Sequence, residues 1–213
     1  MKTLMITMIV LISLPSLARS QSQEPPKFEV AAEFTTLERD ATFEQRTEPG
    51  FGGRFTLNLN KVFSLETAGY FFPKRCFTCN NNGRVTEVLG GVKVSKRFEK
   101  WGIFAKARPG VISFSKGEFN VIEVPSSPSF PFVFKVDRLN SFATDIGGGL
   151  EFYPSRRIVT RFDAGDTIIH FKQRLVNMIA FDPLTNTFIL QPAILPARTT
   201  HNFQFIASVG FRF

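Results

Sequence analysis

The sequence is short of several things, and each shortage excludes a class of protein. Cysteine is limited to Cys76 and Cys79. That rules out the disulfide framework on which small secreted folds depend. After the first twenty residues there is no apolar run of 18 or more, so no later segment reads as a membrane-spanning helix. Lys and Arg number 26 against 18 for Asp and Glu, yet they form no continuous basic cluster and no nucleic-acid motif. Nucleic acid is therefore not an expected partner. Trp occurs once and Tyr twice, while Phe occurs 26 times. Mean hydropathy is +0.01. A helical membrane protein would sit well above zero, whereas a chain of strands with one apolar and one polar face averages out near it.

Met1 to Ser20 reads as a secretory leader. Lys2 supplies the positive start, Leu4 to Leu14 the apolar stretch, and Ala18-Arg19-Ser20 the small residues for cleavage before Gln21. The apolar stretch is too short to span a bilayer, and Pro15 interrupts it. The expected organisation is a signal peptide over 1–20 and one domain over 21–213. No Cys follows the cleavage site, so a lipid anchor there is not suggested. Two of the positive charges, Lys2 and Arg19, leave with the leader.

The far end of the chain alternates. Phe203, Phe205, Ala207, Val209, Phe211 and Phe213 share one face of an extended strand; Gln204, Ile206, Ser208, Gly210 and Arg212 share the other. A strand of about 9–11 residues with one apolar face has the length and pattern of a tilted membrane-spanning strand. Seven earlier stretches alternate in the same way. They are Phe28 to about Leu37, Phe51 to Asn60, Phe63 to Phe72, about Val85 to Lys96, Trp101 to about Phe114, about Ser141 to Tyr153, and Ile158 to about Phe171. Pro109, late in the fifth, predicts a bulge or an exit from the membrane. The connections alternate long and short. Residues 38–50, 73–84, 115–140 and 172–200 read as long loops; Asn60-Lys61, 97–100 and 154–157 read as tight turns. In 172–200 the apolar stretches predict a hairpin projecting beyond the membrane. The fold class predicted is all-β: an eight-stranded antiparallel transmembrane barrel, with short periplasmic turns and both termini on that side.

A soluble lipocalin-like barrel would share the strand pattern, and the placement of charge separates the two. No Lys, Arg, Asp or Glu falls on the apolar face within the strand cores. The other face mixes Gly, Ala, Ser, Asn and Thr with both signs of charge. Arg54, Glu66, Lys93, Lys106, Arg108, Asp145, Glu151, Arg161 and Asp163 are the predicted lumen network, with Glu33 and Arg212 on the same face. An eight-stranded barrel is just wide enough for side chains to fill it, so these charges should pair and close the bore. Trp101 and Tyr153 are the predicted aromatic belt.

On these features the chain resembles the small eight-stranded outer-membrane barrels, the OmpA transmembrane domain and OmpX among them. The resemblance rests on the architecture and on the closing FQFIASVGFRF. It is weaker in KRFEKWGIFAKARPG and GGGLEFYPSRRIVTRFDAGDT. The resemblance implies that Phe203, Phe205, Val209, Phe211 and Phe213 form a signal read by the barrel assembly machinery. It implies a bacterial outer-membrane location among outer-membrane lipids and lipopolysaccharide. The peptidoglycan-binding domain that follows the barrel in OmpA itself has no counterpart here.

Candidate chemistry is sparse. Cys76-Phe77-Thr78-Cys79 fits a small loop disulfide, a metal site lacking its other ligands, or a redox pair lacking its βαβ setting, the first being favoured. His170 and His201 sit near outer strand ends without the Ser two positions on that a lipid-modifying enzyme of this barrel type would want. Arg161, Asp163 and Asp166 read as a lumen ion pair and a rim carboxylate. Gly147–Gly149 and Gly90-Gly91 lack the context of a phosphate loop. No cofactor or metal is expected. The functional expectation is a non-enzymatic surface protein with an adhesion-like role, meeting an extracellular ligand through 115–140 and 172–200. A narrow pore for ions or small hydrophobic molecules is the alternative, and a lipid-modifying enzyme a weaker one.

Overall fold

The computed structural model describes residues 25–41, 44–73, 83–123 and 132–213. The leader expected over Met1 to Ser20 and the pair Cys76 and Cys79 lie outside them. Ten strands follow in order. They are β1 (Phe28–Ala41), β2 (Glu44–Asn58), β3 (Phe63–Phe72), β4 (Val85–Arg97), β5 (Trp101–Glu123), β6 (Phe132–Phe152), β7 (Ile158–Phe171), β8 (Arg174–Asp182), β9 (Thr187–Leu195) and β10 (Arg198–Arg212).

Eight of them close an antiparallel barrel in the order β1-β10-β7-β6-β5-β4-β3-β2, while β8 and β9 form a separate two-stranded sheet. Closure is made by β1 and β10, paired from Glu29↔Arg212 to Leu37↔Gln204. Below that, Phe28 and Phe213 exchange backbone hydrogen bonds at 3.0 Å. Every strand of the barrel has a neighbour on both sides, which leaves no open edge along the wall.

The barrel is inside-out relative to a water-soluble one. On β10, Phe203, Phe205, Val209, Phe211 and Phe213 are exposed, Val209 to 59%, while Gln204, Ser208 and Arg212 are buried. The same holds around the wall, where Val30, Phe55, Leu65, Val92, Ile103, Ile146 and Phe162 face out.

Several stretches read as loops are strand. Residues 38–50 are not a loop: β1 and β2 stay paired from Glu38↔Thr47 to Ala41↔Glu44. Pro49 is tolerated because β3 pairing starts only at Phe51↔Phe71, so one edge of β2 is free there. The ends of 115–140 are strand as well, with β5 and β6 paired from Glu118↔Asp137 to Glu123↔Phe132. The register shift in this hairpin lies between Phe114 and Glu118 and not at Pro109, which stays in the wall opposite Thr144. Pro109 acts on the other neighbour. Pairing of β4 with β5 lapses between Leu89↔Gly110 and Val92↔Ala107, where the missing N–H falls. The projecting hairpin expected within 172–200 is β8–β9.

If the exposed face meets lipid, a charge at its middle is costly. Val209→Arg should lower the unfolding free energy in lipid vesicles by about 2–4 kcal/mol, measured by urea titration. A change within experimental error would sink the lipid-facing assignment.

Candidate functional site

The lumen is filled by side chains in two layers. The lower layer is ionic, and its members form a closed circuit. Arg54 reaches Glu29 and Glu33 at 2.7 Å each and Glu66 at 3.2 Å. The Tyr70 hydroxyl donates to Glu33 at 2.6 Å and accepts from Arg108 at 3.2 Å. Arg108 donates to Asp145 at 2.9 Å. Lys106 bridges Asp145 and Asp163 at 2.9 and 2.8 Å. Asp163 meets Arg161 at 2.7 Å, and Arg161 returns to Glu66 at 2.7 Å. Lys93 joins the circuit to Glu151 at 2.7 Å. Phe104 packs among these groups, with the Arg161 guanidinium 3.8 Å from its ring centre.

All nine residues read from the sequence as lumen charges are buried and meet within this circuit. Glu66 lies at its centre, contacted by Arg54, Lys93 and Arg161, with Arg108 at 3.8 Å. Small inward positions make the space. A Cβ on Gly149 would come within 2.1 Å of the Phe162 carbonyl oxygen, and one on Gly147 within 2.4 Å of that of Ala164. These two positions of the GGG run therefore have to be glycine.

Sequence reasoning also missed Glu29 and Tyr70, which belong to the circuit, and the hydrogen-bonded pair Glu87–Gln204 (3.2 Å), which stands above it opposite Ile112 and Leu37. Their signal was present, since each sits on the inward parity of its strand. Tyr153 departs from its expected place in the belt. Its hydroxyl donates to Glu151 at 2.9 Å and Arg212 stacks over its ring, so it faces the lumen's lower end. Trp101 is exposed and stacked on Phe98 at 4.2 Å.

The upper layer is apolar. Leu37, Phe72, Val85, Leu89, Ile112, Phe114 and Ile169 form one buried cluster, with Leu139 and Phe171 packed against it. Each continues the inward face of its strand toward the outer end, and the buried polar pair Glu87–Gln204 is enclosed among them. Above it stand the outer arms. The β8–β9 arm keeps the register of β7–β10: Arg198↔Phe171 and Arg174↔Leu195 flank a break at Lys172-Gln173 and Pro196-Ala197. Beyond the break the arm reaches β5, where the Asn177 amide donates to the Asn120 side chain at 3.0 Å. One face carries Leu175, Phe181, Phe188 and Ile194, all exposed. At the tip Asn186 takes φ 52°, and the Leu184 amide and Thr185 hydroxyl donate to Asp182. Those donors, the Leu184 amide foremost, hold the Asp182 carboxyl below its usual range.

The two histidines lie on the outward face near the outer rim. His201 contacts Asp166 at 2.6 Å, and His170 contacts Thr199 at 3.0 Å while stacking on Phe142. Asp166 is thus a rim residue, apart from the Arg161–Asp163 pair.

Removing one partner from a buried ionic circuit leaves uncompensated charge. Glu66→Ala should cost about 3–5 kcal/mol of unfolding free energy. Asp137→Ala breaks the exposed Lys135 pair (3.1 Å) and should cost less than about 1 kcal/mol. Equal costs in urea titrations would show that the circuit is not a stability element.

No protein-family model matches the sequence, and no curated protein matches it. Among solved structures, the chain is similar to Neisserial surface protein A (NspA): 10% identity over 90% of this chain and all of that one, TM-score 0.52. It is also similar to Ail of Yersinia pestis (11% identity, 90% of this chain and all of that one, TM-score 0.47). The N-terminal barrel domain of Pseudomonas aeruginosa OprF gives 12% identity, 90% of this chain and all of that one, and TM-score 0.43. With its closed eight-stranded wall, outward apolar face and filled bore, the chain has the fold of the small eight-stranded outer-membrane barrels.

Proposed function

We propose that the chain is a non-enzymatic protein of the bacterial outer membrane that meets the outside through its hairpin arms. The observation that carries this reading is the filling of the lumen by two stacked layers. A water path would have to pass the ionic circuit around Glu66 and then the apolar cluster around Ile112 and Phe114. A paired ionic circuit with a mainly apolar layer above it opposes ion flow, so the pore alternative is disfavoured. The lipid-modifying alternative lacks support in the same way. His170 and His201 are engaged with Thr199 and Asp166, and no serine is hydrogen-bonded to either among the described residues.

The arms supply what the lumen does not. The β8–β9 arm exposes Leu175, Phe181, Phe188 and Ile194 on one face, and among the described residues β9 has no strand on its outer edge. An apolar face beside an open edge suits strand addition by an extended segment of a partner protein. The leader read over Met1 to Ser20 fits export. The phenylalanine-rich face of β10 fits recognition by the barrel assembly machinery, and the wall fits outer-membrane lipids with lipopolysaccharide outside.

Two measurements test the reading. In planar bilayers the protein should give no discrete conductance steps; steady single-channel currents would revive the pore. Replacing 175–194 by a short Gly-Ser turn should abolish adhesion of expressing bacteria to host-cell or matrix surfaces. The barrel should keep its heat-dependent mobility on SDS gels. Undiminished adhesion with the barrel intact would overturn the role given to this arm.

A further inference from the structure

The net positive charge of the chain is unevenly placed. Among the described residues the outer arms carry both signs in near balance, and Lys135 and Asp137 pair there at 3.1 Å. The opposite rim does not. That rim exposes Lys27 before β1 and Lys96, Lys100, Arg156 and Arg157 at the short turns, and among the described residues the only exposed acidic side chain there is Glu99. Aromatic rings stand beside these cations. Lys96 Nζ lies 5.7 Å from the Phe98 ring centre, and Phe98 stacks on the exposed Trp101. Lys27 Nζ lies 5.8 Å from the ring of Phe28, which packs on Phe213. A ring at lipid depth with a cation on a flexible stem next to it is the arrangement that places positive charge at phosphate height.

We propose that this rim is a binding collar for anionic phospholipid headgroups of the leaflet on the short-turn side. The inference rests on the membrane-barrel reading and goes beyond it: the excess charge faces the inner leaflet, away from the lipopolysaccharide side. The chemistry is that of a phosphodiester with no compensating cation, met by several Lys and Arg at one height. Each basic residue held near an anionic surface contributes about 1 kcal/mol, and the attraction decays over a Debye length. The collar encircles the turn end, so many lipids around the perimeter are held weakly and none is enclosed in a pocket.

Trp101 is the chain's only tryptophan and lies on the collar, so its fluorescence reports on the adjacent lipid. The full barrel is reconstituted with brominated phosphatidylglycerol in unlabelled phosphatidylcholine, and with the labels exchanged. Relative quenching gives relative association. The glycerol lipid should be preferred about three- to tenfold at low salt, and the preference should fall toward one in 0.5 M salt. A variant combining Lys96→Gln, Lys100→Gln, Arg156→Gln and Arg157→Gln should lose it while keeping the heat-dependent gel shift. Equal quenching by the two lipids overturns the collar. So does a preference that survives in the variant, or equal quenching with salt-sensitive retention on purified peptidoglycan, which would assign the charge to the cell wall. Failure of both labelled lipids to quench Trp101 would instead sink the membrane reading itself.

Discussion

The structure depends on one electrostatic constraint. Five cations and six carboxylates are paired with one another inside a wall whose outer surface is apolar, and a charge so placed is tolerable only when it is paired. The pairing cannot be local. Arg161 and Glu66, 2.7 Å apart, are 95 residues apart in sequence. The circuit from Glu33 through Tyr70, Arg108, Asp145, Lys106, Asp163, Arg161 and Glu66 back to Arg54 takes members from β1, β2, β3, β5, β6 and β7, and Lys93 adds β4. A slip of one residue in any of these strands would turn its lumen charges onto the outer face. The ionic layer therefore specifies register as well as filling the bore.

The apolar layer above has a different consequence. Charges alone would leave a polar column that water could enter from the outer side. The side chains from Leu37 to Ile169 exclude water from the top of the circuit and so lower its effective dielectric. Every ion pair beneath is thereby strengthened, and every unpaired state made more costly. The layers act together, and on β1, β3, β5 and β7 the inward face passes from the charged residues to Leu37, Phe72, Ile112 and Ile169.

What the sequence revealed follows from where water is. Inside the membrane band one face meets lipid and the other meets charge, so alternation is strict and Phe203 to Phe213 can be read by eye. Above the band a hairpin has water on both faces and the alternation disappears. Glu38 to Ala41, Glu118 to Glu123 and Lys135 to Asp137 therefore read as loop although their backbones stay paired. Membership of the lumen network was legible for the same reason as the strands, because parity assigns Arg54 or Asp145 to the inside without further information. The partners were not legible. They depend on the stagger of neighbouring strands around a closed barrel, which no single strand contains. Tyr153 shows the limit from the other side: a lone aromatic near a turn has the composition of a belt residue, and only Glu151 and Arg212 beside it reveal that it points inward.

The two ends of the barrel differ because their connections do. At the short turns, Asn60 caps the backbone amides of Val62 and Phe63, and Ser155 does the same for Arg157 and Ile158. Turns held so tightly have no freedom to extend, so what they offer is fixed position: exposed cations with aromatic rings beside them. The outer connections are long, and their pairing breaks at Pro196 and shifts at Phe114, so they can lean and present faces. A rigid rim suits a fluid partner that adapts its own headgroups to a fixed pattern of charge. An arm that departs from the wall suits a partner with shape. On the reading proposed above, a filled lumen with no path between the rims lets each rim serve its own partner without the barrel changing conformation.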